Sequence, residues 1–598
     1  MLRALILAGV CALAAGCKSV RPAWSIAAAT QDTLRTTTLG EVLGGPGRYG
    51  SHAWLGIPFA APPVGPLRWR PPQPAAPWNE RLAATKFQRA CVQPATRIVI
   101  NEAEDGDVLG SEDCLTLNVW APVLDGGKLP QGPDRLPVMV WIHGGGNSLG
   151  SAANYDLGHL AAGQRVLAIS VQYRLGPLGW LRHPALRDGD PAGDSGNFGT
   201  LDLIQALQWV RDNAAAFGGD PGNVTLFGES AGGLNVYSLL ASPLAKGLFH
   251  RAIAQSPTLL KGTLAQAENF ADAAEPGHAA SSSEALLLML VRDGTAVDRA
   301  AARTHLAALD STAVASYLRG KSARELVNVW LDVNAGRAQR MLDMPLVFAD
   351  GVVLPKTRWP DLFANSDGWN RVPVLAGTNL DEAKLFLFID PKFSWQLFGF
   401  LPRMRDEQKY QASSEAMSRL WKAWALDDVA EAMRASGATE VYAYRFDWAR
   451  EPTKLGTDLA KMLGAAHGFE IPFVHGHFEG LVGELMGAEG DAQRDALSNA
   501  MMGYWGHFAR TGSPGTGGGA LPPWPAYDVA PGAPKFMTFD AAPPGLRMGS
   551  SVERADQVVA DLLADPRIGD RAEKCAGLVA LVKSGFLAAE KVAKDCPP

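Results

Sequence analysis

The chain has 598 residues, 47% hydrophobic and 19% charged, which is ordinary globular composition with enough apolar residues for a large core. The formal net charge is −6 and no long basic run is present, so nothing points to a nucleic-acid partner. No short-period repeat is visible.

The N-terminus, "MLRALILAGVCALAAGC", carries one Arg, an apolar run from Ala4 to Ala15, and then Gly16-Cys17. That run is too short to span a bilayer and has the shape of a secretory signal over residues 1–17. "AAGC" also resembles a bacterial lipoprotein cleavage box, with Ala14 where the box usually has Leu. The expectation is export, either to the bacterial cell envelope as a periplasmic or outer-membrane lipoprotein attached through a lipidated Cys17, or by secretion. Two or more acyl chains would anchor the protein stably, whereas one gives marginal binding. Cys11 leaves with the signal, and Cys91, Cys114, Cys575 and Cys596 remain. An even number in an exported chain suggests two disulfides, most simply 91 with 114 and 575 with 596. Each loop of that size stabilises by about 3 kcal/mol in the chain-entropy model.

Short apolar runs of β type recur: "VMVWI" at 138–142, "VLAISVQY" at 166–173, "VTLF" at 224–227, "AIA" at 252–254 and "VPVLAG" at 372–377. They are continuous rather than alternating, so both faces should be buried. Between them lies "LDLIQALQWVRDNAAAFGG", in which Leu203, Leu207, Val210, Ala214 and Phe217 form one helical stripe. Gly218 to Pro221 should end that helix. Strands alternating with helices predict an α/β domain over 30–560, with a large, mainly parallel central sheet flanked by helices. Residues of about 262–345 have helical periodicity and few strand signals, and read as a helical insertion over one end of the sheet. "TGSPGTGGGALPPWP" at 511–525 reads as a flexible surface loop, and 561–598 as a helical tail clamped by Cys575 and Cys596.

Within "NVTLFGESAGGLN", Ser230 stands between a β-type run and a helical one. A strand that turns at once into a helix crowds the residue at the corner, and glycines at 228 and 232 remove the Cβ atoms that would clash. The new helix aims unpaired N–H groups and its positive end at any negative charge forming there. A serine hydroxyl is a weak nucleophile until a base takes its proton. It also needs donors for an oxyanion. "VMVWIHGGGN" places Gly144, Gly145 and Gly146 at the end of a strand, and the amide of Ala231 follows the serine.

With these blocks the chain resembles the type-B carboxylesterase and cholinesterase family of α/β-hydrolases. The resemblance runs from about 35 to 545 through "LGIPFAAPPVGPLRW", "SEDCLTLNVW", "VWIHGGG", "YRLGPLG", the long block ending "FGESAGG", "GTNLDE", "HGFEIPFV" and "FARTGSP". It implies an α/β-hydrolase fold with a helical insertion over the active site, and a serine hydrolase that cleaves small-molecule carboxylic esters through an acyl-enzyme without cofactor or metal. The family's Ser–Glu–His triad falls on Ser230, Glu382 and His467, with Asp381 as the competing acid. Its oxyanion hole falls on Gly145, Gly146 and Ala231. Cys91–Cys114 matches the family's first disulfide, Glu112 and Arg68 match a structural ion pair, and Ser256 matches a buried supporting serine.

Other residues read more plainly. His143 borders the glycine loop and supports it. His475 and His477 are spaced to share one face of a strand, but two histidines do not make a metal site. His507, in "YWGHFAR", is a helical surface or packing residue. Asn147 stands where the family usually has an aromatic residue, which leaves the acyl-side wall open. The acidic loop between Cys91 and Cys114 lacks the Trp that cholinesterases stack on a quaternary ammonium, which argues against choline esters. Two rival readings remain: a catalytically inert binding or adhesion module, and a hydrolase specialised for amides, carbamates or lipid esters. Inert relatives typically lack a triad member, and this chain keeps all three.

Overall fold

The computed structural model describes residues 24–96, 107–124, 128–333, 341–397, 401–483, 485–486, 491–541, 545–583 and 585–596. The expected signal segment, with Cys11 and Cys17, lies outside the described residues. An eleven-stranded sheet runs through the molecule. Its strands are β1 (Gly45–Pro46), β2 (Ser51–Pro58), β3 (Thr116–Pro122), β4 (Leu136–Ile142), β5 (Leu167–Val171), β6 (Gly219–Glu229), β7 (Arg251–Gln255), β8 (Val374–Asn379), β9 (Val441–Phe446), β10 (Phe536–Phe539) and β11 (Leu546–Gly549). Their spatial order is β11-β10-β9-β8-β7-β6-β4-β5-β3-β2-β1. The block from β5 to β10 is parallel. The strands at both margins pair antiparallel.

The expectation of two buried faces holds in β4, all of whose residues are buried. Val138, Val140 and Ile142 join one core cluster, and Met139 and Trp141 join another on the opposite face. That is why these runs are apolar without alternation. Helix α1 (Phe198–Asn213), extended by a 3-10 turn over Ala214–Phe217, buries the whole stripe from Leu203 to Phe217. Gly218, at φ 87°, ends it in the left-handed conformation glycine adopts freely. Helix α2 (Ala231–Ala241) follows β6 directly.

Helices α3 (Leu264–Glu268), α4 (Ser282–Arg292), α5 (Arg299–Ala307), α6 (Ser311–Gly320) and α7 (Ala323–Val333) fill the expected insertion. Among the described residues no strand interrupts it. Each start from α3 to α6 is fixed by a side chain accepting a backbone N–H: Thr263, Ser281, Asp298 and Asp310. Further along come α8 (Glu407–Lys422), α9 (Ile471–His475) and α10 (Ala492–Thr511). His475 therefore sits on a short helix and not on a strand, and the spacing with His477 has no strand face to share. Pro472 and the left-handed Gly476 bracket that helix. The 511–525 segment is irregular, as expected, but it is pinned, because Trp524 is buried and bridges to Gly515.

The tail is helical. α11 (Ala555–Ala564) and α12 (Arg571–Lys583) pack Val558, Leu562 and Leu578 against Ala412, Ala416 and Leu420 of α8. Both expected disulfides are formed, Cys91–Cys114 and Cys575–Cys596. Arg68 and Glu112 also pair, 2.6 Å apart.

Candidate active site

Ser230 occupies the corner between β6 and α2 at φ 61°, ψ −121°, a conformation that costs a non-glycine residue roughly 1–3 kcal/mol and persists only where its surroundings enforce it. The enforcement is visible. The Ser230 amide donates to Gln255 O on β7 at 2.9 Å, and its carbonyl accepts from Leu234 N on α2 at 3.0 Å. A Cβ on Gly232 would sit 2.0 Å from Ile142 O, and one on Gly228 2.7 Å from the same oxygen. The corner is thus pressed against the end of β4, and only glycine fits.

The glycine loop leaves β4 at that point. A Cβ on Gly144 would lie 3.0 Å from Ser230 Cβ. Gly145, Gly146 and Asn147 all have positive φ, at 99°, 62° and 53°, so the loop curls back on itself. Among the described residues the amides of Gly145, Gly146 and Ala231 donate to no protein acceptor. Three free N–H groups beside one serine are what an oxyanion would require. His143 anchors the loop as expected. It stacks on Tyr173 with ring centroids 4.5 Å apart, and its carbonyl accepts from Tyr173 Oη at 2.7 Å. Burial lowers its pKa to about 4, which keeps the imidazole neutral. Asn147 turns toward α2, where its Oδ1 accepts from Asn235 Nδ2 at 2.9 Å. Met341 and Leu342, at the end of the helical insertion, approach Gly146 and Gly176 and cover this side of the loop.

His467 reaches the corner from the opposite side. Its Nδ1 donates to Glu382 Oε2 at 2.6 Å, and Glu382 Oε1 accepts from the Asn379 amide at 2.8 Å. Asp381 points elsewhere, to Lys384 Nζ at 3.1 Å and to the Ala465 amide at 3.2 Å. His467 Nε2 lies 3.1 Å from Glu229 Oε1, the residue immediately before Ser230, yet makes no aligned hydrogen bond among the described residues. Nε2 is thus directed at the carboxylate of the residue that precedes the serine in the chain. Burial alone would make the imidazole less basic, but the charges of Glu229 and Glu382 outweigh it and raise the His467 pKa. Burial also raises the pKa of Glu229, against the opposing pull of His467.

A third buried carboxylate, Glu470, accepts from Gln255 Nε2 at 3.2 Å and from Asn379 Nδ2 at 2.7 Å. Glu229, Glu470, Asn379 and Gln255 were not singled out in the sequence, although Glu229 and Glu470 stand inside its recognisable blocks. The available signal was a charged residue in an otherwise apolar framework. Ser256 is fully buried, at φ 41°, and its hydroxyl has no partner, in keeping with a packing position behind the corner. His507 is partly buried on α10, with Nδ1 donating to Ser513 O at 2.8 Å. Among the described residues no three His, Cys, Asp or Glu side chains are grouped to hold a metal ion.

The sequence profile of the carboxylesterase family matches residues 31–397 and 390–556. Carboxylesterase 1D of Rattus norvegicus is 34% identical over 533 residues, covering 80% of this chain and 84% of that protein. Para-nitrobenzyl esterase of Bacillus subtilis (strain 168) is 34% identical over 511 residues, covering 82% of this chain and 92% of the relative. A solved PNB esterase structure superimposes with a TM-score of 0.63 at 29% identity, over 87% of this chain and 97% of its own. The sheet with its serine corner and the matches along the chain lead to one conclusion: the protein belongs to the carboxylesterase family, has the α/β-hydrolase fold and is a carboxylic ester hydrolase.

Proposed function

We propose that Ser230, His467 and Glu382 form a catalytic triad that cleaves small-molecule carboxylic esters through an acyl-serine intermediate. The observation that supports this reading is His467, held by Glu382 on Nδ1, with its Nε2 unbonded among the described residues and 3.1 Å from the carboxylate of Glu229, the residue before Ser230. Ser230 Oγ attacks the ester carbonyl carbon while His467 Nε2 takes its proton. The carbonyl π electrons move to oxygen, where the amides of Gly145, Gly146 and Ala231 receive the negative charge. The intermediate collapses, the C–O bond to the alcohol breaks, and the imidazolium gives its proton to the leaving oxygen. Water then repeats the sequence on the acyl-serine and releases the acid. Glu382 holds the ring with Nε2 unprotonated and stabilises the imidazolium.

Ser230→Ala should lower kcat by about a million-fold if the three residues act as a unit. A fluorophosphonate probe should label the wild type at Ser230 and leave that variant unlabelled. Near-normal turnover in Ser230→Ala would refute the triad, and a wild type that resists the probe would mean that Ser230 is not an activated nucleophile.

The two disulfides fit an oxidising compartment, and the chain is read as exported. Lipidation at Cys17 is the finer form of that reading. An intact mass of the mature protein that begins at Cys17 with added acyl mass supports it, and a mature start elsewhere overturns it.

A further inference from the structure

The family match ends at residue 556, but the structured chain continues to 596. The extra segment is built as a unit. α12 ends in a turn in which Gly585, at φ 79°, donates to Val582 O at 3.0 Å and the Phe586 amide donates to Leu581 O at 2.9 Å. Cys575 on α12 is tied by its disulfide to Cys596 at the far side of that turn. Leu587 and Leu578 are buried in the cluster the segment shares with α8. The turn cannot swing freely, and it aims one aromatic side chain toward the body of the protein.

That side chain, Phe586, lies 5.5 Å from the ring of Trp421 and 5.4 Å from that of Trp424, both edge-on. Trp421 is itself 4.8 Å from the imidazole of His467, and Phe386 is 5.3 Å from it. Trp421 is fixed through its indole N–H, which donates to Pro257 O at 3.0 Å in the loop that follows β7. Gly585 rests on the same loop, since a Cβ there would meet Leu260 Cδ2 at 3.4 Å. The chain from Ala423 to Asp427 winds as a π-type turn, a local widening that often marks functional sites. Trp421 is buried, whereas Phe386, Trp424 and Phe586 each keep part of their surface open. Trp421 thus backs the imidazole from within, the partly open rings of Phe386, Trp424 and Phe586 pack around it as an apolar wall, and the outer member of that wall comes from the C-terminal segment.

We propose that Phe586, held by the Cys575–Cys596 clamp, is a specificity-determining residue that gives an apolar arm of the ester a surface beside His467. The proposal rests on the reading of His467 as the general base, because only then does the ester reach these rings. The arm is carried by either the acyl or the alcohol part, since both meet at the carbon that Ser230 attacks.

The test uses the full mature protein, with active sites counted by fluorophosphonate titration and folding followed by Tm. One series varies the acyl group from p-nitrophenyl acetate to octanoate, and the other varies the alcohol from methyl to benzyl to naphthyl acetate. In Phe586→Ala, kcat/KM for the largest member relative to the smallest should fall about tenfold in one series, within the range a pocket contact supplies, and the loss should fall on KM. Phe586→Leu, which keeps an apolar side chain, should restore much of the ratio. The double variant Cys575→Ala/Cys596→Ala should move the ratio in the same direction as Phe586→Ala. If Tm drops while both ratios stay at wild-type values, Phe586 is a packing residue and the proposal is overturned. That failure is distinguishable from failure of the triad, because fluorophosphonate labelling of Ser230 reports on the triad whatever the ratios do.

Discussion

Glu229→Gln is the perturbation that bears most directly on how His467 is tuned. Its Oε1 lies 3.1 Å from Nε2, on the face that must accept the serine proton. At that separation, unit charges attract by about 5 kcal/mol at an effective dielectric of ~20 and by about 1.3 kcal/mol at that of water. In its ionised form Glu229 therefore holds the imidazole pKa up, while burial pushes the Glu229 carboxyl itself up to about 8. A general base works only when neutral, and the acid limb of kcat/KM reports its pKa in the free enzyme. Removing the carboxylate lowers that pKa, so the acid limb should move to lower pH. Glu382 remains, bound to Nδ1, and keeps the ring oriented. The plateau rate should fall as well, because an anion that favours the imidazolium favours the transition state in which it forms. The assay is hydrolysis of a p-nitrophenyl ester from pH 4.5 to 9.5, corrected for spontaneous hydrolysis and for active-site concentration. A limb that stays put or moves upward would refute the argument that Glu229 sets the basicity of His467.

Three further outcomes are expected. Glu382→Gln should cut kcat by about 10⁴-fold, because an amide no longer holds the tautomer that frees Nε2; titrated turnover within tenfold of wild type would count against its role. Gly232→Ala drives a Cβ to 2.0 Å from a backbone oxygen of β4, which must move, and overpacking of this kind costs about 1–3 kcal/mol. It should lower Tm and abolish fluorophosphonate labelling together, and retained labelling would mean that the corner tolerates the methyl. Glu451 is buried with neither carboxylate oxygen partnered, and burial raises its pKa from 4.5 to about 8. Between those two values the folded chain keeps a proton that the unfolded chain has released, so its contribution to stability is full below pH 4.5 and is lost as pH rises toward 8. Glu451→Gln removes that loss and should raise Tm by about 2 °C or more at pH 9, with little change at pH 4.5; an equal effect at both would contradict the linkage.

What the sequence made legible was what local pattern encodes. Continuous apolar runs gave the core of the parallel sheet, and the stripe from Leu203 to Phe217 gave α1, because burial on both faces or on one leaves a period in the sequence. Gly228 and Gly232 were readable because a tight corner leaves few residue choices. Local pattern misled at "IPFVHGH", where an alternation of β type is overruled by Pro472 at a helix start and Gly476 at its end. The antiparallel margins were less plain, since β1 is two residues long and β10 and β11 four each, too short to establish a period. The carboxylates around His467 carried no local signal of their roles. Glu229 and Glu470 sit in buried frames, and what they do depends on β6, β8 and α9 converging from distant parts of the chain.

The same reasoning explains why the wall beside His467 escaped the sequence reading. Phe586 stands in "KSGFLAAEK", a stretch that reads as an unremarkable helical tail. Its partners, Trp421 and Trp424, are spaced i, i+3 on what reads as an ordinary helix, and only the π-type turn at Ala423 sets them apart. Helix propensity and disulfide arithmetic could place the segment and its clamp. They could not say which surface the clamp presses it against, because that depends on packing between α8, the loop after β7 and the turn at Gly585. In this fold Ser230, the glycine loop and Glu382 stand just past the ends of β6, β4 and β8, where backbone geometry restricts the residue, whereas the rings beside His467 come from helices and a terminal turn, where many residues would fold. Selectivity can therefore change by substitution at positions such as 586 while the corner at Ser230 stays fixed. The acyl and alcohol series in Phe586→Ala measure that separation directly.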